Sequence, residues 1–531
     1  MLVKPGPLTR LAQRVMTRRA GLAPETTRYR IIRALPVPMR DGVRLLADHY
    51  APQTDTPAGT LLLRGPYVRD SLPTRATVGT YAARGYHVVL QSTRGSFGSG
   101  GEFEPGFHEV DDGADTVAWL REQEWFTGSF ATVGGSYLGF AQWALMVDPP
   151  PELDTAVITM APDDIGLAAW GTGSFALSDF LTWGHQMAWH ERGGFLRQLV
   201  RTARTPRTLA PVFATTPLAA AADSVMGGGA AYYESWLANA DPAGEYWRGR
   251  AVAIGAEGKP VLLIGGWQDL FFDQTMRQYE TLRARGSDVA LVVGPWTHGS
   301  GGGQAIRESL DWLSGRRRDL PVRVFVTGDG GWRDLAQWPP AAREVILRPQ
   351  SDGTLADSTA YGTASFVYDP ADPTPTIGGR LLAASSAGYR DDSALAQRAD
   401  VLTYTGGVLD ADLEIMGVPR IELVHAADTP SSDVMVRLSD VDAEGRSQNV
   451  SDGYVSRASG ASTRLSVDLD PIAHRFRAGH RIRLYVGGGS FPRYVRNSGT
   501  GAPVATATEL VPATHTVEFE GFRLVLPVVA P

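Results

Sequence analysis

Apolar positions along the chain follow three successive rhythms. Between residues 29 and 50 apolar and polar residues alternate around the turn Met39-Arg40-Asp41-Gly42-Val43-Arg44-Leu45. Asp-Gly between two such runs predicts a β-hairpin. Continuous apolar runs follow at Thr60-Leu61-Leu62-Leu63-Arg64, His87-Val88-Val89-Leu90-Gln91, Phe130-Ala131-Thr132-Val133 and Ala156-Val157-Ile158-Thr159-Met160. Short runs of this kind suit strands buried on both faces, as in a parallel sheet. Helical patterns over 75–84, 109–120 and 137–147 separate them, and the acidic start Glu109-Val110-Asp111-Asp112 suits the positive end of a helix dipole. Strand and helix in alternation predict an α/β fold built on a doubly wound parallel sheet.

The rhythm then changes twice. From about 163 to 257 the chain is helical in character and rich in Ala and Trp, with Trp170, Trp183, Trp189 and Trp236. Sheet runs resume at Val261-Leu262-Leu263-Ile264 and Val289-Ala290-Leu291-Val292-Val293. An interruption of that size predicts an inserted helical cap over the carboxyl ends of the strands, where α/β proteins enclose ligands. Beyond about 326 the runs become short and alternating, as in Val401-Leu402-Thr403-Tyr404, Arg420-Ile421-Glu422-Leu423-Val424, Val434-Met435-Val436-Arg437-Leu438 and Arg481-Ile482-Arg483-Leu484-Tyr485-Val486. Turns such as Tyr368-Asp369-Pro370 divide them, which predicts an all-β jelly roll. The expected division is a basic arm at 1–30, an α/β domain at 31–162 and 258–325, the cap at 163–257, and a jelly-roll sandwich at 326–531.

A length of 531 residues fits about three domains. The net charge of -7 argues against a dedicated nucleic-acid partner, and the lack of cysteine excludes disulfides, thiol nucleophiles and cysteine-ligated metals. Lys4, Arg10, Arg14, Arg18, Arg19, Arg28 and Arg30 stand against Glu25 alone in the first thirty residues, yet no apolar signal core follows them. This stretch is expected to be a surface arm or short helix. No run approaches the roughly 18 apolar residues of a membrane span. The expectation is a cytoplasmic enzyme with no membrane partner.

Candidate chemistry centres on Gly134-Gly135-Ser136-Tyr137-Leu138-Gly139, where a buried strand breaks and passes directly into a helix. That layout is a nucleophile elbow, which holds a serine on a strained turn with its hydroxyl exposed. The motif departs from G-x-S-x-G, since Leu138 stands where the second glycine is expected. A serine needs a histidine base and an orienting carboxylate. Both resumed strands end in such a residue: Gly266-Trp267-Gln268-Asp269 and Gly294-Pro295-Trp296-Thr297-His298. Asp269 also suits an N-cap, but the order Ser136, Asp269, His298 at strand ends is that of a catalytic triad. For the oxyanion hole, the Tyr137 N–H is the expected first donor. Tyr67, just past an early strand, is either the second donor or a packed aromatic.

The chain resembles the cocaine esterase and X-Pro dipeptidyl-peptidase family of α/β-hydrolase serine esterases. The resemblance rests on Met39-Arg40-Asp41-Gly42-Val43, Gly65-Pro66-Tyr67, Thr93-Arg94-Gly95, the Ser136 elbow, the Asp269 and His298 motifs, Tyr368-Asp369-Pro370, Gly479-His480-Arg481-Ile482-Arg483 and Ser490-Phe491-Pro492-Arg493-Tyr494. It implies an α/β-hydrolase sheet with an inserted helical cap and a C-terminal jelly roll. It also implies Ser136, Asp269 and His298 as triad, Tyr67 with the Tyr137 N–H as oxyanion hole, and no metal or cofactor. Trp170 and Trp183 look like cap tryptophans of the substrate pocket, with Phe271 and Leu382 as further lining.

One departure concerns the acyl pocket. Ala383 follows Gly378-Gly379-Arg380-Leu381-Leu382 where cocaine esterase carries a phenylalanine, so benzoyl specificity does not carry over. The expected activity is hydrolysis of a small-molecule ester through an acyl-enzyme. The alternative is amide-bond or α-amino ester hydrolysis, for which Asp273 and Glu234 are candidate ammonium-binding carboxylates. The oligomeric state, a homodimer included, stays open, and His480 and Arg493 are expected to be structural.

Overall fold

Eleven strands form one sheet in a computed structural model that describes residues 2–192, 195–255, 258–328, 330–458 and 462–530. In chain order they are β1 (Leu2–Val3), β2 (Tyr29–Pro38), β3 (Arg44–Pro52), β4 (Gly59–Gly65), β5 (Tyr86–Ser92) and β6 (Phe130–Gly135). β7 (Leu153–Thr159), β8 (Val261–Gln268), β9 (Val289–Thr297), β10 (Val322–Val326) and β11 (Gly331–Leu335) complete the set. Their spatial order is β1-β2-β3-β5-β4-β6-β7-β8-β9-β10-β11. The strands from β5 to β10 run parallel, and the flanks are antiparallel.

The continuous apolar runs explain this centre. Successive side chains of a strand point to opposite faces. Leu62, Val89, Ile158 and Leu263 therefore feed one core, while Leu61, Val88, Val157 and Leu262 feed the other. Two boundaries differ from expectation. The sheet extends past residue 325, because β11 folds back antiparallel on β10. The amino-terminal arm is part of the sheet, with Leu2 and Val3 opposite Ile32 and Ile31, and helix Pro7–Arg19 packs beside helix Leu72–Ala82. The expected end of the cap at Glu257 lies outside the described residues.

Between β7 and β8 the cap contains helices Ile165–Trp170, Leu177–Trp189, Phe195–Ala214, Leu218–Met226, Tyr232–Ala238 and Glu245–Arg248. The third domain is a β sandwich whose two layers meet through strand Arg343–Pro349. Ile421, Leu423, Leu524 and Leu526 from one layer face Val434, Val436, Leu484 and Val486 from the other, all fully buried. Backbone bonds tie it to the cap, with Ser178 N–H donating to the Pro492 carbonyl and Ser456 N–H to that of Thr172. Three domains thus converge above the carboxyl ends of β6, β8 and β9.

Candidate active site

Ser136 follows β6 and precedes helix Tyr137–Leu145 with φ 58° and ψ -130°, a conformation costly for a residue with a Cβ. Its surroundings leave the backbone little room. A Cβ on Gly135 would lie 2.9 Å from the Thr159 carbonyl oxygen, and one on Gly139 would lie 2.2 Å from the Ala161 Cβ. The Ser136 N–H is held by the Thr159 and Met160 carbonyls at 3.0 and 3.2 Å. Leu138 explains the departure from G-x-S-x-G: its side chain covers Gly65 and Gly134, so the bulk is accommodated on the inner side of the turn.

His298 comes from the end of β9 and Asp269 from the end of β8. His298 Nε2 lies 3.1 Å from Ser136 Oγ, and Nδ1 lies 2.6 Å from Asp269 Oδ2. Asp269 is fully buried, and its Oδ1 accepts the Phe271 N–H at 2.9 Å rather than capping a helix. Both carboxylate oxygens are therefore committed, and the imidazole is held in one orientation. The Tyr67 hydroxyl is 3.3 Å from Ser136 Oγ. The Tyr137 N–H belongs to the first turn of its helix, where amides have no partner within the helix.

The Tyr137 ring anchors that amide from behind. Its hydroxyl donates to Glu109 Oε1 at 3.0 Å and accepts from the Gly106 N–H at 2.9 Å. Glu109 in turn pairs with Arg64 at 3.0 Å, both side chains being almost wholly buried. Burial holds the Tyr137 phenol well above its ordinary range, and the Glu109 charge adds to this. The phenol stays protonated, which preserves its bond to Glu109.

Ser136 and His298 open into a cavity walled mainly by Phe140, Ile165, Phe180, Trp183, Trp236, Leu270, Phe271 and Leu382. Of the four lining residues expected from sequence, Trp183, Phe271 and Leu382 face this space. Trp170 does not: its indole N–H donates to the Trp236 carbonyl at 2.9 Å, and its ring packs on Phe175 inside the cap. Trp236 takes the wall position, stacked on Trp183 with centroids 5.8 Å apart. Ala383 is half-buried beside the wall but not part of it.

Sequence reasoning also missed Asp179. It lies on the cavity wall, 6% exposed, with Oδ1 accepting the Leu382 N–H at 2.8 Å. Asp179 and Trp183 are four apart on one helix and share a face, but the sequence pattern does not say which face meets the cavity. The two carboxylates considered for an ammonium lie elsewhere: Glu234 is exposed, and Asp273 pairs with Arg380 at 3.3 Å outside this cavity. His480 and Arg493 serve the jelly roll, bonded to Asp440 at 2.9 Å and Asp452 at 3.1 Å.

Burial pushes the Asp179 carboxyl up to about 6, against the opposing pull of the Leu382 N–H, Arg493, Ser178 and His298. A carboxyl whose folded pKa exceeds its unfolded value contributes stability below the unfolded pKa and loses it as pH rises through the folded one. The expected result is that Asp179→Asn changes little near pH 4 but stabilises the protein at pH 7 by up to about 3 kcal/mol. Thermal unfolding of both proteins across that range checks this; a difference independent of pH would contradict it.

An α/β-hydrolase sheet carrying a serine, an imidazole and a carboxylate in a hydrogen-bonded row defines the serine hydrolases of that fold. Residues 41–300 match the family model of the X-Pro dipeptidyl-peptidase (S15 family), and residues 315–523 match the X-Pro dipeptidyl-peptidase C-terminal non-catalytic domain. The chain belongs to the cocaine esterase and X-Pro dipeptidyl-peptidase family of serine hydrolases. It is 29% identical to cocaine esterase from Rhodococcus sp. (strain MB1 Bresler), over 90% of this chain and 94% of that protein. Its fold is similar to that of an aminopeptidase from a marine sediment archaeon, Thaumarchaeota archaeon (TM-score 0.81, 23% identity, 94% of this chain and 97% of that one). It is similar as well to that of an α-amino acid ester hydrolase (TM-score 0.78, 21% identity, 96% and 98%). No described helix is long and apolar enough to cross a membrane.

Proposed function

We propose that this protein hydrolyses small carboxylic esters through an acyl-enzyme on Ser136. The observation that carries the reading is the row Ser136–His298–Asp269 opening into an apolar chamber. His298 Nε2 takes the hydroxyl proton as Oγ attacks the ester carbonyl, and Asp269 stabilises the imidazolium. The Tyr67 hydroxyl and the Tyr137 N–H donate to the oxyanion, each worth several kcal/mol of barrier by analogy with other oxyanion donors. His298 returns the proton to the departing alcohol. A water activated by the same nitrogen then attacks the acyl carbonyl and frees Ser136.

The apolar wall favours an ester with a hydrophobic acyl or alcohol group. One observation favours a second reading, amide or α-amino ester hydrolysis: the Asp179 carboxylate on the wall could pair with a substrate ammonium. Initial rates on para-nitrophenyl acetate, butyrate and benzoate, beside glycyl-prolyl para-nitroanilide, test the choice of bond. We expect ester turnover to exceed anilide turnover by about a thousandfold or more, a difference of roughly 4 kcal/mol in barrier. Comparable rates would replace the ester reading with the amide one. Alanine methyl ester against methyl propionate isolates the ammonium, and a preference for the former that disappears in Asp179→Asn would establish the second reading.

A further inference from the structure

Helix Pro7–Arg19 is amphipathic with its faces reversed. Thr9 and Gln13 point inward and are 1% and 2% exposed, while Leu8, Leu11 and Val15 point outward at 69%, 58% and 42%. The inward polar face is not fully satisfied. Gln13 Oε1 accepts the Tyr29 hydroxyl at 2.9 Å, but Gln13 Nε2 and Thr17 Oγ1 are buried without a hydrogen-bond partner. A helix that merely covered the sheet would do better with its leucines inward.

The orientation is nevertheless pinned. Strand β1 ties the preceding residues to β2, and Arg307 Nε donates to the Ala20 carbonyl at 2.7 Å just past the helix end. The outward spacing 8, 11, 15 makes one continuous apolar stripe, and Leu2 adds a further exposed apolar side chain. Arg10, Arg14 and Arg18, all exposed and four residues apart, form the adjoining row. Arg19 is exposed as well, and the helix contains no carboxylate.

We propose that this face docks on an anionic bilayer surface, with Leu8, Leu11 and Val15 entering the headgroup boundary and the arginine row among the lipid phosphates. An apolar stripe beside a row of cations is the pattern of helices that lie in a membrane interface. Charge complementarity selects this occupant. A two-fold contact with a second copy through the stripe would bring two arginine rows together, which is repulsive. The patch is basic on a chain of net charge -7, so its attraction to anionic lipid arises from this local face and not from the net charge. The proposal revises the expectation of no membrane partner, which rested on the lack of a spanning segment; interfacial docking requires none.

The test is co-sedimentation of the full chain with vesicles of phosphatidylcholine alone and of an equimolar mixture with phosphatidylglycerol. Binding is expected only to the mixed vesicles. It should fall about tenfold or more in Leu8→Glu/Leu11→Glu and in Arg10→Gln/Arg14→Gln/Arg18→Gln, and in wild type at about 0.5 M salt. Hydrolysis of a soluble ester, equal in wild type and variants, verifies that they are folded. Failure of wild type to bind the mixed vesicles would overturn the proposal, as would equal binding by the leucine variant. Sedimentation velocity showing a dimer that the same substitutions dissolve would assign the face to a second copy instead.

Discussion

Ser136→Ala is expected to lower kcat for ester hydrolysis by a factor on the order of 10⁴ to 10⁶, with KM little changed. The hydroxyl is the only atom removed, and the cavity walls do not depend on it. His298→Ala should cost about as much, since among the described residues the 3.1 Å bond to Oγ is the only imidazole contact on Ser136. The informative result is the double variant. Nucleophile and base act as one device, so the combined loss should scarcely exceed either single loss, whereas independent contributions would multiply. Rates down to the buffer-catalysed background are needed, together with a fluorophosphonate label that should react with wild type and fail on Ser136→Ala. Substantial ester turnover surviving without Ser136 would remove it as nucleophile.

Asp269→Asn should cost about 10⁴ in kcat for a different reason, the identity of the tautomer. In wild type, Oδ1 accepts the Phe271 N–H and Oδ2 accepts from His298 Nδ1, leaving Nε2 free to take the serine proton. Asparagine keeps the shape but has one oxygen. The Phe271 N–H claims that oxygen, so the amide NH₂ faces Nδ1 and donates to it. The imidazole must then carry its proton on Nε2, where it points at Ser136 and cannot act as base. Thermal stability should change far less than activity, because the substitution is isosteric. Activity within about tenfold of wild type would show that the Asp269 contact does not set the imidazole tautomer.

Much of the site was legible before any fold was seen. Ser136, Asp269 and His298 each stand at the carboxyl end of an apolar run, and a parallel sheet brings such ends to one edge whatever the details of packing. The long-range geometry of the row therefore follows from a local signal repeated three times. The end of β4 placed Tyr67 near the same edge, but the strand pattern left it open whether it was a donor or a packed aromatic. The Leu138 departure from the elbow motif is part of the resemblance to the family, whose elbow reads G-x-S-Y-x-G. Its physical basis lies in Gly65, from a neighbouring strand, which sits beneath the leucine side chain.

Elsewhere the pattern was silent because rotation about a helix axis has no local signature when apolar residues surround it. Trp170 and Trp236 are equally apolar, and only cap packing decides that the first turns into the cap while the second lines the chamber. Asp179 could be read as a surface acid until Leu382, two hundred residues away, donated to it from the third domain. The amino-terminal helix shows the opposite failure. Its amphipathic period was present in sequence, but which side faced the sheet was decided by the tethers at β1 and Arg307. Short-range apolar periodicity, which encodes strand ends, was enough for the fold class and for the three residues that the structure brings into one hydrogen-bonded row. Tertiary structure alone decided the pocket walls, the buried carboxylate and the outward leucines, because these depend on which elements meet.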